Sequence, residues 1–153
     1  MPALAIRPPA IRPIVAADRA GWEPLWAGYL EFYRENLPAP ITEETWRRLL
    51  DPDVDPHGLV AVDAGGRLVG FAHYLFHRST WAIGPYCYLE DLFVAPGVRG
   101  GGVGKALIEA TYAAADEAGA EATYWMTQQD NAAGRRLYDR VAKLTPFIRY
   151  QRA

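Results

Sequence analysis

One stretch limits the fold more than any other. Tyr86 to Val94 reads as a strand, Ala95 to Gly102 as a loop crowded with glycine, and Val103 to Glu117 as a helix that opens directly from that loop. Glycine fills four of the five positions from Gly100 to Gly104. Without Cβ atoms the loop can turn its backbone N–H groups towards one point, and the helix N-terminus adds partial positive charge there. Arg99 and Lys105 add full charges on either side. The bland reading is a flexible loop. A strand before and a helix after favour a phosphate cradle.

Two familiar phosphate loops do not fit. A Walker A loop needs Gly where Arg99 stands and Ser or Thr where Ala106 stands. A Rossmann GxGxxG needs Gly at position 105 or 107, which are Lys105 and Leu107. The spacing present is Arg99-x-x-Gly102-x-Gly104.

The rest of the chain supplies the setting. Its 153 residues suit one domain, 1–153, with 50% hydrophobic and 22% charged residues. A net charge of −2 leaves no electrostatic footprint for nucleic acid. No apolar run approaches the roughly 18 residues of a membrane helix. The start, Met1 to Pro9, lacks a long apolar core, so no secretory leader is expected. Cys87 is the lone cysteine, which excludes an intrachain disulfide and suits a reduced, cytoplasmic setting. The lone serine, Ser79, has no flanking glycines for a nucleophile elbow. His73 and His77 sit on one predicted strand about 13 Å apart, too far for one zinc, so no metal is expected.

Periodicity gives the order of elements. Ile11 to Val15 is an edge strand, since Pro13 cannot donate to a ladder. Trp22 to Asn36 is an amphipathic helix with Asp18 as candidate N-cap. Thr42 to Thr45 has the outline of a capping box, opening a short helix to about Leu50. Leu59–Asp63 and Leu68–Phe76 form a hairpin around Gly65-Gly66. After the strand, loop and helix described above come a strand, Glu121–Gln128, a helix, Asn131–Lys143, and a last strand, Phe147–Gln151. The fold class is α/β, a single mixed sheet with helices packed on it.

The segment Tyr88-Leu89-Glu90-Asp91-Leu92-Phe93-Val94, the Arg99-x-x-Gly102-x-Gly104 loop and the pair Asn131 and Tyr138 together resemble the GNAT family of N-acetyltransferases. The likeness covers about residues 60 to 151. It is strongest to the branch that contains the spermidine/spermine and the yeast histone/polyamine acetyltransferases. It implies the GNAT fold, a mostly antiparallel central sheet splayed at the acetyl-CoA site and flanked by helices. Leu92, Phe93 and Val94 match the segment that lends backbone hydrogen bonds to pantetheine, with an N–H near Leu92 for the thioester oxygen. Arg99, Gly100, Gly101, Gly102, Val103, Gly104 and Lys105 match the pyrophosphate loop. Asn131 matches a pantetheine contact; as a residue before a helix it equally suits an N-cap.

Tyr138 lies two turns beyond Asn131 on the same helix face and matches the tyrosine that protonates the leaving CoA thiolate. The alternative is a buried tyrosine that packs the helix. An alkyl amine of pKa about 10.4 is neutral about one part in 2,500 at pH 7, so a base removes a handicap of roughly 4.6 kcal/mol. Glu90 matches the strand glutamate beside the acceptor site and is the candidate base, directly or through water. Its neighbour Asp91 is expected on the opposite face. The pair's alternative task is to attract a cation. Cys87 precedes the motif strand, where a buried apolar thiol is more usual than a nucleophile. Tyr29 and Tyr33, one turn apart, are candidates to bind the amine, although most of such an aromatic stripe is core.

The expected activity is acetyl transfer from acetyl-CoA to a primary amine, namely a polyamine, a lysine side chain of a peptide, or another small amine. The alternative is a non-catalytic acyl-CoA-binding module on the same fold. The family commonly follows its tyrosine helix with Gly-Phe, whereas here Val141 to Phe147 intervene. Relatives exchange C-terminal strands in dimers, so a homodimer sharing Phe147–Tyr150 is the expected assembly.

Overall fold

Five strands lie side by side in the order in which the chain makes them. The computed structural model describes residues 8–153, so the absence of a leader expected from Met1 to Pro9 falls largely on residues 1–7, outside the described residues. The strands are β1 (Ala10–Pro13), β2 (His57–Val62), β3 (Leu68–His77), β4 (Tyr86–Val94) and β5 (Ala122–Tyr124). The first three pairings are antiparallel, and β4 with β5 is parallel. The parallel step needs a crossover, and α3 (Val103–Glu117) is its helix. The other helices are α1 (Arg19–Phe32), α2 (Ala39–Leu49) and α4 (Ala132–Val141).

Each face of the sheet has its own core. Trp22, Leu25 and Trp26 of α1 and Trp46 and Leu49 of α2 pack with Val60, Phe71 and Phe93. On the other face, Val103, Leu107 and Ile108 of α3 pack with Leu59, Ala61, Val69, Ala72 and Leu89, and Leu137 and Tyr138 of α4 join them. Strands covered on both sides carry near-continuous apolar runs, which is why Leu59-Val60-Ala61 does not alternate.

Several sequence expectations shift. Asp18 does not cap α1 with its side chain. Its carboxylate accepts two bonds from Arg12, at 2.7 and 2.8 Å, and one from the Val15 N–H at 2.8 Å, so it locks the strand-to-helix joint instead. The second helix begins at Ala39 behind Pro38, ahead of the supposed capping box, and the Thr42 hydroxyl accepts from the Trp26 indole at 3.1 Å. β5 stops at Tyr124, short of Gln128. Phe147–Gln151 is not a strand; residues 144–153 have no regular structure and pair with none of the free edges of the sheet.

α1 ends in a Schellman turn. Glu35 N–H bonds to Leu30 C=O at 2.9 Å and Arg34 N–H to Glu31 C=O at 3.0 Å. The left-handed position there is held by Arg34, at φ 53°, where glycine is the easier residue.

Candidate active site

The site begins where β4 parts from β5. The two pair only through Tyr86, Cys87 and Tyr88, opposite Ala122, Thr123 and Tyr124. From Leu89 to Val94 that edge of β4 has no strand beside it, so the sheet splays as expected. On its other side β4 stays paired with β3 as far as Val94. Antiparallel pairs alternate between bonded and non-bonded. Ala95 N–H bonds to Val69 C=O at 2.9 Å, which makes the Phe71–Phe93 and His73–Asp91 pairs the bonded ones. The N–H and C=O groups of Leu92 and Val94 therefore face the gap, whereas those of Phe93 belong to the sheet. Phe93 contributes its ring instead, packed under α1.

The pairing skips one residue. His73 opposes Asp91 and Tyr74 opposes Leu89, so Glu90 is the extra residue of a β-bulge. The bulge resets the alternation. Leu89 and Leu92 both join the core beneath α3, and Asp91 turns to the α1 face. Glu90 and Asp91, expected on opposite faces by alternation, are the two residues at which that alternation breaks. Burial first, then the charge of Asp91, raises the Glu90 carboxyl above its ordinary range, with Arg149 opposing. Glu90 nevertheless keeps solvent access along the strand edge.

Asp91 is held from two sides. Tyr29 O–H donates to Oδ1 at 2.6 Å, and His73 Nδ1 lies 2.9 Å from Oδ2. Tyr29 thus uses its hydroxyl proton inside the protein rather than offering it to a ligand. Burial, then Asp91, pushes its phenol far up. Tyr33 packs on Tyr29 with ring centroids 5.0 Å apart and lines a cavity of about 750 Å³ with Arg34, Gln128 and Asn131.

Tyr138 is largely buried, edge-on to Trp125 at 5.5 Å. Burial, with a smaller push from Tyr33, raises its phenol to about 12. It remains a proton donor throughout the neutral range. Asn131 is the N-cap of α4: its Oδ1 accepts from Gly134 N–H at 3.2 Å, and its Nδ2 donates to the Thr127 hydroxyl at 2.9 Å. A Cβ on Gly134 would collide with that amide.

At the far end of the gap Gly102, at φ 83°, is the left-handed residue from which α3 starts. The first intrahelical bond is Ala106 N–H to Gly102 C=O, so the N–H groups of Val103, Gly104 and Lys105 have no partner in the helix. A Cβ on Gly102 or Gly100 would meet nothing within 4 Å, so the surface over this loop is open. The Arg99 Nε–H donates to Val94 C=O at 3.2 Å, and its guanidinium lies over Phe93 at 5.5 Å. Lys105 lies 3.8 Å from Glu109 on the exposed side.

The structure therefore puts the free backbone groups of Leu92 and Val94 on the gap, groups Leu92 with Tyr138 in the core beneath α3, and lines one cavity with Tyr33 and Asn131. Two groups were missed. His73 was set aside with His77 as a poor metal pair, but it is wholly buried against Asp91, while His77 sits at the strand's far end, 2.7 Å from the Tyr124 hydroxyl. A histidine inside the apolar run Val69 to Leu75 was the available signal. Asp91 was read only as a partner of Glu90 that could attract a cation; its bonds to His73 and Tyr29 went unread because the bulge cannot be read from spacing. Cys87 is fully buried and its thiol is pushed up to about 11, which suits packing and not attack.

Residues 22–142 match the acetyltransferase (GNAT) family. The D-amino-acid N-acetyltransferase HPA3 of Saccharomyces cerevisiae is 37% identical over 143 residues, covering 93% of this chain and 89% of its own. A thialysine N-epsilon-acetyltransferase of Sus scrofa is 44% identical over 45 residues, 29% of this chain and 26% of its own. Among solved structures, aminoglycoside N-acetyltransferase AAC(6')-Iy in complex with CoA has a TM-score of 0.83 at 19% identity, covering 100% of this chain and 99% of that one. That likeness is one of fold.

Proposed function

The chain belongs to the acetyltransferase (GNAT) family and is an N-acetyltransferase, and on that premise we propose that it moves the acetyl group of acetyl-CoA directly onto a small primary amine, with both substrates bound together. The observation that carries this reading is the gap beside Leu89–Val94, an unpaired strand edge that leads to the unpartnered N–H groups at the start of α3.

The residues suit acetyl-CoA. The N–H groups of Gly102 to Lys105 and the terminal nitrogens of Arg99 hold its pyrophosphate, favoured by the α3 dipole. Leu92 and Val94 bond its pantetheine arm along the free strand edge, and Asn131 adds a contact from the start of α4. Bound there, acetyl-CoA supplies an activated thioester. The Leu92 N–H holds the thioester oxygen as negative charge develops on it, a term of about 3 kcal/mol. Glu90, held above the ordinary carboxylate range, takes the proton of the acceptor's ammonium directly or through water. Tyr138 gives its proton to the departing sulfur. Burial makes its phenol a weaker acid, but a thiolate beside a buried phenol is a stronger base too.

The acceptor enters through the cavity walled by Tyr33. Amino acids, thialysine, aminoglycosides, polyamines and lysine peptides are the amines to compare, the first three because proteins similar to this one are named for acting on them or for the class. Leu144, Phe147, Ile148 and Tyr150 are exposed apolar residues in the C-terminal segment, which supports a homodimer that covers them. A reduced Cys87 and the need for acetyl-CoA support a cytoplasmic setting. The test is thiol release from acetyl-CoA with each amine class. Turnover confined to one class names the acceptor; no turnover with any of them, while acetyl-CoA still binds, refutes the reading for these amines.

A further inference from the structure

Four polar groups meet inside the core beneath α1, where apolar packing would otherwise be complete. Trp22 and His73 are both 0% exposed. The Trp22 indole N–H donates to His73 Nε2 at 3.1 Å, His73 Nδ1 faces Asp91 Oδ2 at 2.9 Å, and Tyr29 O–H donates to Asp91 Oδ1 at 2.6 Å. An indole nitrogen can only donate, so His73 Nε2 must be the acceptor and carries no proton. The His73 proton is then on Nδ1, pointed at Asp91. Each Asp91 oxygen accepts one bond, so its carboxylate is ionised and cannot turn. The His73 ring is itself stacked on Phe71, with centroids 4.5 Å apart, and flanked by Trp26 at 5.5 Å.

We propose that Trp22 and His73 are positioning residues for the transfer: they hold Asp91 as a fixed anion at the mouth of the gap, where it docks the acceptor's ammonium and leaves Glu90 to take the proton. The proposal rests on the acetyl-transfer reading above. His73 cannot itself be the base, since its second nitrogen is filled and no part of it reaches solvent. Asp91 keeps 14% of its side chain exposed, enough for one further partner. Glu90, one residue away on the bulge, is free of such restraints. The other titratable groups around this pair are Tyr29 and Tyr33 from α1, Tyr88 from β4 and Arg149 from the C-terminal segment. Without the indole donor, His73 could hold its proton on Nε2 and set a lone pair against Asp91. It could also take a second proton and cancel the Asp91 charge. The indole excludes both states.

The test combines a tautomer measurement with kinetics. Nitrogen-15 spectra of the free wild-type protein at pH 7 should show His73 neutral with its proton on Nδ1; a proton on Nε2, or on both nitrogens, overturns the assignment. Trp22→Phe, which keeps a ring but loses the donor, should mix the tautomers. His73→Phe keeps ring shape without a donor, whereas His73→Asn places an amide N–H near the Nδ1 position. His73→Phe should raise the acceptor KM at least tenfold and leave the acetyl-CoA KM within twofold. His73→Asn should recover most of that loss. Equal losses in the two His73 variants, or parallel rises in both KM values, would overturn this proposal while wild-type turnover upholds the transfer reading. Wild-type protein that releases no thiol with any amine would strike down the transfer reading, and this proposal with it.

Discussion

Glu90 and Asp91 are chemically alike and adjacent, yet the bulge and the two hydrogen bonds of Asp91 set them apart, and we propose separate tasks for them. Glu90→Gln should lower kcat/KM by about 10²–10⁴-fold, the usual worth of a positioned base. The pH profile carries a sign. Glu90 acts when ionised, and its carboxyl sits above the ordinary range of burial-free carboxylates, so kcat/KM should climb with pH through that raised value. Asp91→Asn removes a like charge and should move this acidic limb to lower pH. A limb that stays in place would show that it reports another group. Asp18 gives a stability counterpart. The Arg12 hydrogen bond, ahead of the Val15 N–H, holds its carboxyl below the usual value, so its contribution is present above about pH 4 and fades as pH falls through the lowered value. Asp18→Asn should therefore cost about 1–3 kcal/mol at pH 7, with the gap to wild type closing in acid melts. At this scale Glu90 and Tyr138 were expected from the family resemblance, and the N-cap at Asn131 was legible from its place before a helix. His73 and Asp91 were not, since Trp22 and His73 meet across 51 residues and Asp91 reaches them only through the bulge.

Elements whose identity rests on local chemistry were read closely. β4 and α3 were read to the residue, as alternation ends at Val94 and glycine turns the chain at Gly102. Elements that depend on a partner were not: β5 ends early where β4 diverges, and the segment expected as a C-terminal strand pairs with no edge of the sheet. Two glycines in the site make contrasting predictions. Gly102→Ala forces a Cβ into the left-handed region and should cost about 1–2 kcal/mol, with a higher KM for acetyl-CoA as the cradle shifts. Gly134→Ala should displace the Asn131 amide and loosen the start of α4, read as a lower melting temperature together with weaker acetyl-CoA binding. Arg34→Gly works the other way. It relieves a non-glycine residue at φ 53° in the α1 terminator and should stabilise the protein by about 0.5–1 kcal/mol in a denaturant titration.

For the molecule as a whole, the order of strands follows the order of the chain, so a mixed sheet with a single α3 crossover was within reach of the sequence. The splay was implied only by family resemblance, because periodicity reports the faces of a strand and not the neighbour on its edge. The exposed Trp81, Ile83, Phe147, Ile148 and Tyr150 give the assembly prediction, with Trp81 and Phe147 rings already 6.4 Å apart. Wild-type protein should sediment as a dimer, and a chain cut before Leu144 should sediment as a monomer. A monomeric wild type would remove the proposed homodimer without touching the site. The central claim is acetyl transfer in the gap between β4 and β5, with Tyr138 as the acid. Its most direct test is kcat and acetyl-CoA affinity measured side by side for wild type and Tyr138→Phe. A fall in kcat of about 100-fold or more with unchanged affinity is the predicted result. An unchanged kcat would contradict it and reduce Tyr138 to a packing residue.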